Sequence, residues 1–161
     1  MMDEIWQGVR QEFSDLPSWM TFTQLVVRLL IAAILGGLIG FERERSGKAA
    51  GLRTHMLVCI GTASVMAIPE QAGMGLENLS RIIQGVMSGI GFIGAGAILK
   101  PDDGSKVEGI TSAASVWFTA GIGVAAGLGR EASATLATGM VLIVLVLIPK
   151  VKASNKKGAK D

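Results

Sequence analysis

The residues best equipped for chemistry fall into two short runs, Glu42-Arg43-Glu44-Arg45 and Gly51-Leu52-Arg53-Thr54-His55. They bring acids, bases and the chain's single histidine close together. Such a cluster could recognise a partner or sense an ion at a membrane surface. Composition favours the plainer reading, a group of salt bridges capping helix ends, and exposed pairs of that kind contribute little stability. His55 and Cys59 are four apart and would share a helix face with Thr62 and Met66. One histidine and one cysteine fall short of the three or four ligands a metal site needs, so Cys59 reads as a small buried hydrophobe. Asp102, Asp103 and Glu108 could attract Mg²⁺. That ion takes few protein carboxylates and keeps its waters, and a solvated loop explains the same residues. The run Gly89-Ile90-Gly91-Phe92-Ile93-Gly94, with Glu108 downstream, fits the spacing of a dinucleotide-binding loop. That loop needs a strand before it and a helix opening within it, whereas this run lies inside an apolar stretch. No serine or cysteine has a convincing base beside it. The residues therefore predict no enzyme, no cofactor, no metal site and no nucleic-acid partner.

The elements that must carry these groups follow from composition. Half of the 161 residues are hydrophobic, 17% are charged and the mean hydropathy is +0.50. An average soluble domain is about 25% charged, and a small domain has too much surface to hide so many apolar residues from water. One cysteine excludes an internal disulfide framework, and the apolar content excludes a disordered chain. The expectation is an all-α, polytopic membrane helix bundle, with the bilayer as its solvent.

A helix needs about 20 mostly apolar residues to cross a bilayer. Five stretches qualify, at about Phe22–Phe41, Leu52–Ile68, Ile82–Leu99, Ser112–Leu128 and Ala132–Ile148, with Pro69 and Pro149 read as stops. Barrel strands would alternate apolar and polar residues, and no segment does. The organisation expected is an amphipathic interfacial segment over 1–20, a transmembrane domain over 21–149 and a basic tail over 150–161. In the first segment Ile5, Val9 and Phe13 recur every four residues beside Trp6 and Leu16. This reads as a helix on the outer interface anchored by Trp6 and Trp19, or else as a frayed terminus. It lacks the basic start of a cleaved signal peptide.

Lysine and arginine placement sets orientation. Arg43, Arg45, Lys48, Arg53, Lys100 and Lys106 fall on one side, with Lys150, Lys152, Lys156, Lys157 and Lys160 of the tail. Arg10, Arg81 and Arg130 fall on the other. The amino terminus is therefore expected outside and the carboxy terminus in the cytoplasm, where the lysines can meet anionic headgroups.

Glycines recur four apart at Gly36 and Gly40, Gly85 and Gly89, and Gly123 and Gly127. In lipid, close backbone packing through small residues replaces the hydrophobic drive between helices. The first, third and fourth spans are expected to pack tightly and the fifth to face lipid. The same glycines would also permit sliding during transport. Arg28 is the one formal charge well inside a span, which by default makes it a functional candidate. Arg28, Ala32, Gly36 and Gly40 share a face that should look into the bundle. There Arg28 could pair with Glu70 or Gln84, or it could snorkel to the interface.

GGLIGFERE followed by GLRTH, then SGIGFIGAGAIL, then GITSAASVWFTAGIGVAAG, resemble the MgtC/SapB membrane-protein family over about Leu25 to Ile148. The family motif falls on Gly36, Gly40, Glu42, Arg43, Glu44, Gly51, Arg53, Thr54 and His55. It continues on Gly89, Gly91, Gly94 and Gly96, and on Thr111, Ala113 and Ala114. The resemblance implies a multi-pass protein of the bacterial inner membrane, linked to growth in low magnesium and to stress survival. It also implies partners within the membrane, such as ATP synthase in some members. The virulence-associated members continue into a soluble domain where this chain ends in lysines, so a short member is expected. Two functions stay open: a non-enzymatic regulator acting through another membrane protein or a second copy of itself, and a small Mg²⁺ or H⁺ transporter or channel.

Overall fold

The structure, a computed structural model, describes residues 1–12, 18–98 and 107–157, with side chains through residue 148. Phe13, Leu16, Asp102, Asp103, Lys100, Lys106 and the side chains of the basic tail lie outside the described residues. Among those described, six helices form and no strand: α1 (Met2–Glu12), α2 (Trp19–Arg45), α3 (Leu52–Gln71), α4 (Leu76–Gly96), α5 (Ile110–Gly127) and α6 (Glu131–Lys157).

Local chemistry sets the ends of these helices. Ser18 caps α2, its hydroxyl accepting from the Thr21 amide at 3.1 Å, which satisfies one of the open donors of the first turn. The run Glu42 to Arg45, beyond the expected end of the first span at Phe41, forms the last turn of α2. Glutamate and arginine are good helix formers, and cations near a helix carboxyl end suit its dipole. The chain then turns at Gly47, whose φ of 64° is in the left-handed region. Neither proline stops its helix: α3 runs through Pro69 to Gln71 and α6 through Pro149 to Lys157. A proline two residues from a helix end forfeits one backbone bond, and the Ala72 amide still reaches the Ile68 carbonyl at 3.1 Å.

Among the described residues, four helices are long and apolar enough to cross a membrane: α2, α3, α5 and residues 131–148 of α6. The remaining expected span, α4, is a helix of 21 residues whose first turns carry Glu77, Asn78, Ser80, Arg81 and Gln84. The path of the chain nevertheless takes α4 across the full height of the bundle. Glu70 near the end of α3 meets Arg28 near the start of α2, whereas Thr111 at the start of α5 shares a cleft with Arg45 at the end of α2. α4 joins these two ends. In the same way, Glu131 of α6 shares a cleft with Trp19, and Ile148 shares one with Lys48. The start of α2 and residue 148 of α6 therefore lie at opposite ends.

Packing centres on α5, which touches α2, α3, α4 and α6. Its buried residues are small or β-branched, among them Ser115, Val116, Thr119, Ala120, Gly123 and Gly127. The buried face of α2 is Ala32, Leu35, Gly36, Ile39, Gly40 and Arg43, as the spacing from Arg28 predicts. The buried face of α3 includes His55, Cys59, Thr62 and Met66, the set expected to share a side. α6 is the most open of the four apolar helices, with Leu136, Met140, Ile143 and Leu147 all exposed. α1 packs against none of the other helices, and its Ile5, Trp6 and Val9 are exposed.

One packing expectation is corrected. α3, not α4, fits against the glycine faces of α2 and α5. A Cβ added at Gly36 would lie 2.7 Å from the Cys59 Cβ, and one at Gly40 would lie 2.7 Å from the Leu52 Cα. One at Gly123 would overlap Thr62 and Cys59, and one at Gly127 would overlap Ala63. Gly94 makes ordinary contact with Ala113, but Gly85, Gly89, Gly91 and Gly96 face open space. A groove of glycines needs a slim ridge with side chains opposite it. The Cys59-Thr62-Ala63-Met66 edge of α3 is that ridge.

Candidate functional site

At one end of the bundle the last turn of α2 meets the first turn of α3. The Arg43 guanidinium is buried and ion-paired with the adjacent Glu42, whose other oxygen accepts from the Ser46 hydroxyl at 2.8 Å. The Glu44 carboxylate accepts the Leu52 amide at 2.8 Å. It thus supplies the cap that Gly51, at the N-cap position, cannot, and puts negative charge at the positive end of α3. Gly51 is tied to this arrangement, because a Cβ there would lie 2.8 Å from the Glu44 oxygen.

Beneath this cap His55 is fully buried. Its Nδ1 is 2.9 Å from the Gly51 carbonyl and its Nε2 is 3.0 Å from the Ser115 hydroxyl. A carbonyl only accepts, so Nδ1 carries a hydrogen. The Ser115 hydroxyl also lies 2.9 Å from the Ser112 carbonyl. With a neutral ring, the single serine hydrogen must choose between Nε2 and that carbonyl. The site is therefore a buried polar relay joining α3 to α5 below a charged lid.

The sequence motif divides in space. Glu42, Arg43, Glu44 and His55 come together, whereas Arg53 is exposed, Thr54 is half-buried, and neither joins these hydrogen bonds. Sequence reasoning missed Ser112 and Ser115 as partners of His55. Their signal was the spacing Ser112, Ser115, Thr119, which places three hydroxyls on one face of α5.

At the other end Arg28 resolves its alternatives in favour of Glu70. Its Nη1 donates to the Glu70 carboxylate at 2.6 Å and to the Gly127 carbonyl at 2.9 Å. The pair thus ties α2 to the ends of α3 and α5. Gly129 follows in the left-handed conformation, and a Cβ there would lie 2.7 Å from the arginine Nη2. A cleft of about 620 Å³ opens beside Arg28, lined in part by Trp19, Gln24 and Glu131. Between the two ends Cys59, Ala63, Ile122 and Ala126 form part of a buried apolar core. Among the described residues no three His, Cys, Asp or Glu side chains converge.

Comparison with known proteins bears on this arrangement. The MgtC family profile matches residues 29–154. The chain is 39% identical over 132 residues to Protein SrpB of Synechococcus elongatus, covering 75% of this chain and 72% of that protein. It is 40% identical over 129 residues to a protein named Putative magnesium transporter YhiD in Escherichia coli, covering 76% and 59%. To Protein MgtC of Brucella abortus it is 38% identical over 130 residues, covering 81% and 53%. The chain thus spans between about half and three quarters of the length of these relatives. No solved structure matches it.

Proposed function

The chain belongs to the MgtC family, and from that premise we propose that it is a non-enzymatic regulator of the bacterial inner membrane. In this reading it serves adaptation to magnesium limitation and stress by touching another membrane protein, such as ATP synthase, or a second copy of itself. The observation that supports this is the outer face of α4. Gly85, Ser88, Gly89, Phe92 and Gly96 recur along it at helical spacing, all exposed, and no described residue would meet a Cβ added at its glycines. The outer face of α6, with Leu136, Met140, Ile143 and Leu147, offers acyl chains a good surface. The face of α4 offers them little, but its small residues let a second backbone approach closely.

Crosslinking tests this reading. In a Cys59→Ala background, Gly85→Cys or Gly89→Cys should give a discrete adduct with a bifunctional maleimide in native membranes. Ile143→Cys on the lipid-facing side of α6 should not. An adduct of twice the chain's mass identifies a second copy, and another discrete mass identifies a different partner. If Gly85→Cys and Gly89→Cys crosslink no better than Ile143→Cys, the regulator loses its contact surface.

A second reading, a small Mg²⁺ or H⁺ transporter or channel, draws on the name of the Escherichia coli relative and on the Arg28–Glu70 pair beside an open cleft. The tight glycine contacts between the two ends count against it, because they leave little room for an ion along the bundle axis. Mg²⁺ or H⁺ flux into proteoliposomes by the purified chain would favour it over the regulator.

A further inference from the structure

The cleft at the α2–α3 end has two chemically different halves. It measures about 900 Å³ and lies between the end of α2, the following loop, the start of α5 and residues 144–148 of α6. Its polar half holds three cations against one anion: Arg43, Arg45 and Lys48 against Glu42. Arg43 and Glu42 neutralise each other, and Glu42 is further held by Ser46. Arg45 and Lys48 are both exposed, and their side chains form no hydrogen bond or ion pair with the described residues. Among the described residues, two cations without a side-chain partner therefore line the same cavity. The α5 helix begins at its edge, where Thr111 lines the wall and no side chain caps the first turn.

The other half is apolar. Phe41, Val144 and Ile148 line it, each more than half exposed within this chain. Phe41 is the last apolar residue of α2 before the charges begin at Glu42. The cleft thus straddles the level at which hydrocarbon gives way to headgroups.

The geometry points to a bound anionic phospholipid, its phosphate held between Arg45 and Lys48 and its acyl chains laid against Phe41, Val144 and Ile148. The guanidinium fork matches two phosphate oxygens, and lysine adds a point charge. Free phosphate would satisfy the cations but leave the apolar wall bare. A zwitterionic lipid would bring a third positive group to a site that already has two in excess. The occupant would join the end of α2 to α6, bridging two helices along their open flank.

Native mass spectrometry of the full chain in a neutral detergent tests the site, with phosphatidylglycerol, phosphatidylcholine and inorganic phosphate as probes. Phosphatidylglycerol should be retained about tenfold more strongly than phosphatidylcholine, in keeping with two cations near an anionic lipid. The double variant Arg45→Gln with Lys48→Gln should lose that preference. Arg45→Lys with Lys48→Arg should keep most of it, and Arg81→Gln, near the start of α4, should keep all of it. Equal retention of the two lipids would overturn the proposal. So would an equal loss in Arg81→Gln, which would mean general surface charge. Binding of inorganic phosphate as strong as that of phosphatidylglycerol would replace the lipid with a free anion.

Discussion

Arg28 donates to Glu70 and to the Gly127 carbonyl in a part-buried position at the edge of a cleft, so a partner left alone there keeps its charge with less water around it than at an open surface. Arg28→Met and Glu70→Met should each lower the unfolding temperature in detergent. The double variant should recover part of the loss, with a coupling of roughly 1–3 kcal/mol. Gln84→Leu should change little, because Gln84 is exposed and outside the pair. A double variant no better than the sum of its parts would mean that the pair snorkels apart in lipid. His55 makes a different prediction. The Gly51 carbonyl requires a hydrogen on Nδ1 in either charge state, so ¹⁵N spectra of the ring should show a protonated Nδ1 throughout. Ser115→Ala would strip Nε2 of its partner in a buried place and should cost about 1–3 kcal/mol. The pairing of Arg28 was within reach of the sequence, since its span, face and side narrowed the partners to two. The relay under His55 was not, because a histidine on an inward face says nothing about which helix comes to meet it.

Spacing at the scale of a helix predicts which residues share a face, and it did so for α2 and α3. It does not predict which neighbour that face meets. Gly36 with Gly40 and Gly85 with Gly89 carry the same four-residue interval, yet the first pair is pressed against α3 and the second faces outward. The physical difference lies in the opposing helix, whose path a short motif does not encode. Alanine substitutions should separate the two classes. Gly36→Ala and Gly123→Ala force backbones apart and should destabilise the purified chain by about 1–3 kcal/mol each. Gly85→Ala and Gly89→Ala have room for the methyl and should leave the isolated chain as stable or more so, by up to about 1 kcal/mol each from helix propensity. They should nevertheless weaken crosslinking through α4, if that face holds a partner. Equal destabilisation in both classes would show that α4 is packed inside the bundle. The prolines failed as stops for a related reason: near a helix end, or in lipid beside other helices, one missing amide does not force the chain to leave the helix.

Across the whole molecule, α2 carries an ion pair at each end of its inward face, and the fifteen residues from Arg28 to Arg43 span about 22 Å. A hydrocarbon layer is about 30 Å thick, so each pair lies near one edge of it and both cannot be far out in water. This frame fixes the path of the chain but not its direction across the membrane. Direction rests on charge. Arg43, Arg45, Lys48 and Arg53 cluster at one end, while Arg81 in the first turns of α4 and Arg130 before α6 are cations at the other. Cations resist translocation, and on that ground we propose that the first end faces the cytoplasm. Single cysteines in a Cys59→Ala background check this directly, because the thiol of Cys59 is buried and alanine keeps its Cβ against Gly36. An impermeant maleimide should label Lys48→Cys only in inverted vesicles and Ala72→Cys only in right-side-out ones, both positions being exposed. Labelling of both from the same side would mean that α3 does not cross. Labelling with the sides exchanged would leave the bundle intact but move the His55 relay and the lipid cleft to the outer face.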